Sequence, residues 1–214
     1  MEVKHLFAAT PVPFGPRGAP SSIAKSAVDR LTVHLDKTEE DEQGNKKLHG
    51  GKEKVLHQYA LPSYEVFKSH FPDYANAFTP GSIGENISVL DMNDSNVKIG
   101  DVYKFGAVIL QVGSPRVPCN KISHRYDLPN LDRFVNEHLI TGWYYRVLQT
   151  GVINIGDAVE LEARDSASMS IAEFMQCVNN RRATSRELLE AAMLDGLDPE
   201  WKERLQKRAK AVSA

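Results

Sequence analysis

One cysteine in this chain is placed where a thiol can do chemistry. In Leu110-Gln-Val-Gly-Ser-Pro-Arg-Val-Pro-Cys119-Asn-Lys, apolar residues alternate at Val108, Leu110 and Val112, which predicts a half-buried strand running into Pro115 and Pro118. The prolines stop that strand and fix the backbone after it, so Cys119 is expected on a stiff turn. There it can serve as metal ligand or nucleophile. Arg116, Lys121 and Arg125 lie close in sequence, and cationic neighbours favour the thiolate, the form that attacks and that binds metals. A lone cysteine is more often a small buried hydrophobe; two prolines, three cations and a strand end argue for function here.

Other polar residues need a shared purpose to be informative. His49 precedes Gly50 and Gly51, which allow a backbone to approach a ligand closely, and Lys52 follows them. His57 comes eight residues after His49, a spacing with no zinc signature. Glu85 and Asn86 stand at a strand start directly after Gly84, facing either a pocket or solvent. Arg146 sits among Trp143, Tyr144 and Tyr145, where a buried guanidinium requires an anionic ligand or an ordinary core salt bridge. No Gly-x-Ser-x-Gly elbow and no phosphate-loop glycine pattern is present. A Cys119 pairing with His49 or His57 stays open as a nucleophile and base.

The elements around these residues read as mainly β up to about residue 165. Short strands are expected at 30–35, at 85–90 after a glycine turn, within 96–106, from 108 to 112, at 142–148 and at 155–161, with glycine turns between them, the pattern of a β-barrel or sandwich. Residues 36–53 form a long polar excursion, a candidate binding loop or lid. Apolar spacings of three and four predict a helix over 62–71, ended by Pro72, and a second follows at 131–138. Beyond Asp165 the pattern changes. Ser170-Ile-Ala-Glu173 and Thr184-Ser-Arg-Glu187 have the form of capping boxes, and Asp198-Pro199 places an N-cap before a proline. The expected division is a β domain over 1–165 and a three-helix domain over 166–214.

The 214 residues are 42% hydrophobic and 25% charged, with a formal charge of −2. That balance gives no global reason to bind nucleic acid. The three terminal helices invite a helix-turn-helix reading, but residues 170–214 hold eight Lys or Arg against seven Asp or Glu, so docking or packing is favoured over DNA. The N-terminus lacks the apolar core of a signal peptide, and no membrane segment is legible, which makes a cytoplasmic protein the expectation. Cys177, the only other cysteine, is far from Cys119 in sequence and makes no disulfide framework.

Taken in order, the motifs are more specific than any member. His49-Gly-Gly-Lys52, His57, Gly84-Glu-Asn-Ile-Ser88, Val97-x-Ile-Gly-Asp101, Ser114-Pro-Arg-x-Pro-Cys119-x-Lys121, Gly142-Trp-Tyr-x-Arg146-Val-Leu148 and Gly151-x-Ile-x-x-Gly-Asp157 together resemble the MOSC domain family. The similarity is greatest to its YiiM-type subgroup, whose members carry a C-terminal three-helix domain. The resemblance implies a β-barrel with a molybdenum cofactor of the molybdopterin type at one mouth, its metal coordinated by Cys119. It implies reduction of N-hydroxylated compounds such as 6-hydroxylaminopurine-type base analogues, giving resistance to them, with electrons from a separate flavin-containing reductase. The sequence agrees on the donor, having neither a dinucleotide fingerprint nor an iron–sulfur cysteine cluster. His49, Lys52, Asn86, Arg116, Lys121, Arg125 and Arg146 are then the expected cofactor-binding residues, and His57 or Glu85 the acid that assists catalysis. A cofactor or sulfur carrier using Cys119 without turnover is the alternative. A homodimer is compatible with the family.

Overall fold

The structure is a computed structural model that describes residues 1–44 and 50–213. His49, with residues 45–49 of the expected 36–53 binding loop, therefore lies outside the described residues. The strands are β1 (Val3–Ala8), β2 (Val12–Phe14), β3 (Ala19–Ser21), β4 (Ser26–Val28), β5 (Arg30–Val33), β6 (Leu56–Gln58), β7 (Ile87–Val89), β8 (Val102–Phe105), β9 (Val108–Pro115), β10 (Trp143–Gln149), β11 (Gly151–Asn154) and β12 (Val159–Ala163). Eight of them form one sheet in the order β12-β8-β9-β10-β6-β7-β1-β4, while β11 pairs with β5 and β2 with β3.

The fold is YiiM-like but not the expected mainly β closed barrel. Helix and strand contribute almost equally, 29% and 28% of the residues, and the large sheet is not closed. The reason lies in β1. One edge is taken by β7, and on the other the short β4 takes Leu6 to Ala8, with Leu6 opposite Val28, so only the first residues of β1 are left to meet the run into β12. The run into β12 meets the start of β1 at the bridge between Glu2 and Ala158, where Val3 N–H donates to Asp157 O at 3.0 Å and Val159 N–H to Met1 O at 3.0 Å.

The helices are α1 (Leu61–His70), α2 (Asn120–Tyr126), α3 (Leu131–Glu137), α4 (Ile171–Asn179), α5 (Ser185–Ala192) and α6 (Pro199–Val212). Among these, α1 and α3 match the periodicity, although the chain past His70 continues into a 3₁₀ turn over Pro72–Ala77 rather than leaving helical geometry at Pro72. The stiff turn expected at Cys119 is the start of α2, a helix with no Ser, Thr, Asp or Asn at its N-cap to announce it. Both capping boxes form, with Ser170 and Thr184 accepting from the backbone of Glu173 and Glu187. Asp198 caps α6 by accepting from Glu200 N–H at 2.8 Å. Among the described residues no helix is long and apolar enough to cross a membrane.

Two apolar clusters hold these parts. The larger joins the sheet to the C-terminal helices through Leu110, Val112, Tyr145, Phe174, Leu188 and Trp201. The smaller lies under α1, α2 and α3, around Tyr59, Tyr64, Phe67, Phe78, Ile122 and Phe134, and its aromatic rings stack at 4.8 Å between Phe67 and Phe78. The C-terminal helices are also pinned to the cysteine strand by polar bonds. Asp198 N–H donates to Gly113 O at 2.9 Å, and Lys54 reaches Glu200 at 2.8 Å.

A candidate cofactor pocket around Cys119

The site begins with a row across three strands. In the ladder Tyr144 of β10 stands opposite His57 of β6 on one side and Ser114 of β9 on the other, so the three side chains leave the sheet on one face. Gly142 sets this row. It has φ +69°, and a Cβ there would meet Gln58 O at 2.5 Å and His57 Nε2 at 2.9 Å; only glycine allows so close an approach. The Gly142 carbonyl accepts Arg116 N–H at 3.0 Å, which fixes the residue that leads into the cysteine loop.

Cys119 follows as the N-cap of α2, with extended backbone at φ −125° and ψ 161°. Its side chain makes no capping hydrogen bond and lines a cavity of about 590 Å³ counting the open mouth. His57, Asn86, Arg116 and Lys121 line the same cavity, so with Cys119 five of the sequence-derived candidates meet there, joined by Tyr144 of β10. His57 is buried, its backbone N–H donating to Asn86 Oδ1 at 3.1 Å and its ring Nδ1 3.4 Å from Gly84 O. Asn86 in turn donates from Nδ2 to Phe7 O at 3.2 Å, tying β1 to the pocket wall. Lys121 donates to Pro20 O at 3.0 Å. Arg116 is buried at 6% exposure, and its Nη1 has no hydrogen-bond partner among the described residues.

Other expected residues stand elsewhere. Arg146 is engaged by Glu53, with Nε to Oε2 at 2.7 Å, and by Gln111 Oε1 at 2.9 Å; it is the ordinary salt bridge and lies outside the cavity lining. Arg125 donates from Nε to Ser82 O at 2.8 Å, and Lys52 is exposed on a turn. Glu85 is fully buried but turned toward the smaller core, where its Oε1 accepts from Tyr64 hydroxyl at 2.5 Å and Gly81 N–H at 2.6 Å. Burial pushes its carboxyl up, against the pull of those bonds and of Arg116.

The structure adds residues that no spacing revealed. Lys25 and Asp41 form a buried ion pair in the pocket wall, and Asp41 also accepts Ala9 N–H at 2.8 Å. Burial lowers the Lys25 ammonium's pKa, with Asp41 opposing. Lys54 lines the pocket as well. Among the described lining residues, Lys25, Lys54, Arg116 and Lys121 thus face a single carboxylate, Asp41, which makes the cavity a place for an anion. Burial also raises the Tyr144 phenol's pKa, with the Arg116 guanidinium opposing it.

Asp94 supports this arrangement from behind. Its Oδ1 accepts Gly142 N–H at 2.8 Å and Thr141 Oγ1 at 3.3 Å, and burial pushes its carboxyl up to about 6. A raised folded pKa means stability that is fully present below the unfolded value of about 4 and lost as pH rises through 6. Asp94→Asn keeps the acceptor oxygen and removes the charge. Thermal denaturation should therefore show the variant gaining on the parent by up to about 3 kcal/mol at pH 7 to 8, with the gain vanishing near pH 4. A difference that does not change with pH would contradict this.

A family model described as the MOSC domain matches residues 45–160, a span that contains His57, Asn86, Arg116, Cys119 and Tyr144. The chain belongs to the MOSC domain family. This MOSC protein is 33% identical over 199 residues to YiiM of Escherichia coli (strain K12), covering 90% of this chain and 86% of that one. It is 34% identical over 151 residues to a protein of Gibberella moniliformis named reductase, covering 70% of this chain but 27% of that longer one. The crystal structure of YiiM from Geobacillus stearothermophilus superposes with a TM-score of 0.82 at 26% identity, covering 97% of this chain and 98% of that one.

MOSC domains are in general binders of the molybdenum cofactor, and the pocket of this MOSC protein suits such a group. A pterin phosphate calls for a forked guanidinium or an ammonium, and the unpartnered Arg116 Nη1 with Lys25 and Lys121 nearby supplies both. Thiolate is a soft donor suited to a metal already held by sulfur, and Cys119 lines the same cavity. Among the described residues no group of three or more His, Cys, Asp or Glu could hold a bare metal ion. A metal brought in with its own sulfur ligands needs only the one thiol.

Proposed function

We propose that this protein is a molybdenum-cofactor-dependent reductase of N-hydroxylated compounds, of which 6-hydroxylaminopurine is the test case. The observation that supports it most is the meeting of an uncommitted thiol and an unpartnered buried guanidinium atom in one cavity. A relative named reductase, matched over 70% of this chain, supports the reductive part of the reading. In this reading Cys119 ligates the metal, Arg116, Lys25 and Lys121 take the phosphate, and Asn86 holds the wall that carries His57. When bound, the cofactor supplies a centre that cycles two electrons.

The reaction is R–NHOH plus two electrons and two protons giving R–NH₂ and water. The N–O bond breaks, nitrogen is reduced, and the oxygen leaves as water. A separate flavin-containing reductase supplies the electrons. The protein's own residues bind and position the reactants and deliver protons. His57 is the proton donor in this account, because it lines the cavity with its ring Nδ1 3.4 Å from Gly84 O, while Asn86 holds its backbone N–H. Glu85 lies behind that wall and holds Gly81, which makes it a positioning residue for the loop that presents Gly84.

The test is reduction of 6-hydroxylaminopurine to adenine by the purified protein with a flavoprotein donor and reduced nicotinamide. His57→Gln should lower turnover at least tenfold with bound molybdenum unchanged. Loss of molybdenum from that variant would make His57 a cofactor-binding residue instead, and absence of turnover in the molybdenum-loaded parent would leave the carrier reading.

A further inference from the structure

The stretch after β5 forms one wall of the cationic cavity, through Asp41, Gln43 and Gly44. Residues 36–44 hold five carboxylates, Asp36, Glu39, Glu40, Asp41 and Glu42, against one cation, Lys37. Most of that charge is spent elsewhere. Glu40 accepts the Thr32 N–H and hydroxyl at 2.8 Å each, and Glu39 pairs with His34 at 3.0 Å. Of the five, only Asp41 lines the cavity. Backbone bonds fix it there: Ala9 N–H donates to Asp41 Oδ1 at 2.8 Å, and the Glu42 N–H donates to Ala9 O at 3.0 Å. Gly44 lies so close to β3 that a Cβ would meet Pro20 O at 2.5 Å.

Lys25 is the movable member of the ion pair. It stands between β3 and β4 and reaches Asp41 through a flexible stem, with its side chain 5% exposed and that of Asp41 2%. Burial disfavours its charge and Arg116 adds to that, while Asp41 and Glu85 oppose them. Asp41 therefore neutralises a buried cation, the same task a phosphate would perform. Arg116 Nη1, buried on the same cavity and without a hydrogen-bond partner among the described residues, marks where such an anion meets the wall. A phosphate drawn there finds Lys25 already paired. It must take the ammonium from Asp41 or bind beside a fixed like charge, and either lowers its affinity.

We propose that Asp41 is a built-in counter-ion that competes with a bound phosphate for Lys25, holding the pocket's affinity below what its cations alone would give. The inference deepens the cofactor reading and rests on it for the source of the phosphate; the competition itself rests on the ion pair and the cavity. The pair keeps the buried ammonium neutralised before loading and allows a phosphate monoester to exchange rather than be trapped. The opposite role, Asp41 as a clamp that aims Lys25 at the ligand, predicts the reverse effect of removing the charge.

The experiment uses the full chain from a host that cannot make the cofactor, with inorganic phosphate as the probe and chloride at matched ionic strength as the control for screening. The melting temperature is followed as phosphate rises, which yields an apparent dissociation constant even for a weakly folded variant. Asp41→Asn keeps an acceptor for Ala9 N–H and removes the charge. Without phosphate it is expected to melt several degrees below the parent, because a buried ammonium is left unpaired, and it should bind phosphate at least tenfold more tightly. Lys25→Met should bind phosphate at least threefold more weakly than the parent, and in that background Asp41→Asn should gain threefold or less. Phosphate affinity unchanged or lower in Asp41→Asn overturns the counter-ion. No response to phosphate in any of the proteins overturns it too, and removes the phosphate from Lys25. If the tenfold gain is found but the parent from a cofactor-competent host carries neither molybdenum nor pterin, the counter-ion stands and the cofactor reading fails.

Discussion

Cys119→Ala should strip the protein of molybdenum and abolish N-hydroxyl reduction while leaving its fold intact. The thiol is half-buried, makes no capping hydrogen bond and sits at the rim of two cavities rather than in either apolar cluster. Losing it opens no enclosed void, so the cost to stability should stay within about 1 kcal/mol. The loss of function has a different origin. Among the described residues no group of His, Cys, Asp and Glu could take over as a metal site, so the sulfur has no substitute. Cys119→Ser is the sharper variant: it keeps size and polarity and replaces a soft donor by a hard one. Metal analysis beside thermal denaturation checks both, and a serine variant that keeps its full molybdenum would contradict the role given to the sulfur.

Arg116→Met should produce opposite changes in stability and in cofactor retention. A guanidinium at 6% exposure with one nitrogen unpartnered bears an uncompensated desolvation cost, which an apolar side chain of similar length removes. Methionine has nearly the same length and no charge. The cofactor-free variant should therefore melt at or above the parent's temperature, by up to several degrees. Cofactor retention should fall about 100-fold, because a charge-assisted bond to phosphate contributes about 1.5 to 3 kcal/mol. Melting curves and molybdenum content of the two proteins, each measured with and without cofactor, check the pair of outcomes. A variant that is less stable when cofactor-free would show instead that Arg116 holds the fold.

Local rules read from the sequence carried over where the local rule decides the structure. Capping at Ser170, Thr184 and Asp198 depends on residues within a turn of each other, and the cysteine strand with its two prolines is equally local. What depends on distant partners was not legible. Arg146 looked like a ligand-binding guanidinium until its partner Glu53 came into place across the sheet. Lys25 lies in a stretch without periodicity, and becomes a pocket residue because Asp41 folds back against it. The unclosed sheet has the same character: β4 is three residues long, too short to recognise, yet it takes the Leu6–Ala8 part of the β1 edge whose first residues meet the run into β12. The helix α2 was hidden because a cysteine occupies its N-cap. The motif order named the family correctly, but which of those motif residues meet in one cavity was a matter for the folded chain.

The most direct test of the central claim is the molybdenum and pterin content of the parent protein, purified in parallel from a host that makes the cofactor and from one that cannot. The account predicts close to one molybdenum and one pterin per chain from the first host, none from the second, and 6-hydroxylaminopurine reduction only by the first. Equal activity from both hosts, or a folded protein from the competent host with neither molybdenum nor pterin, would contradict it.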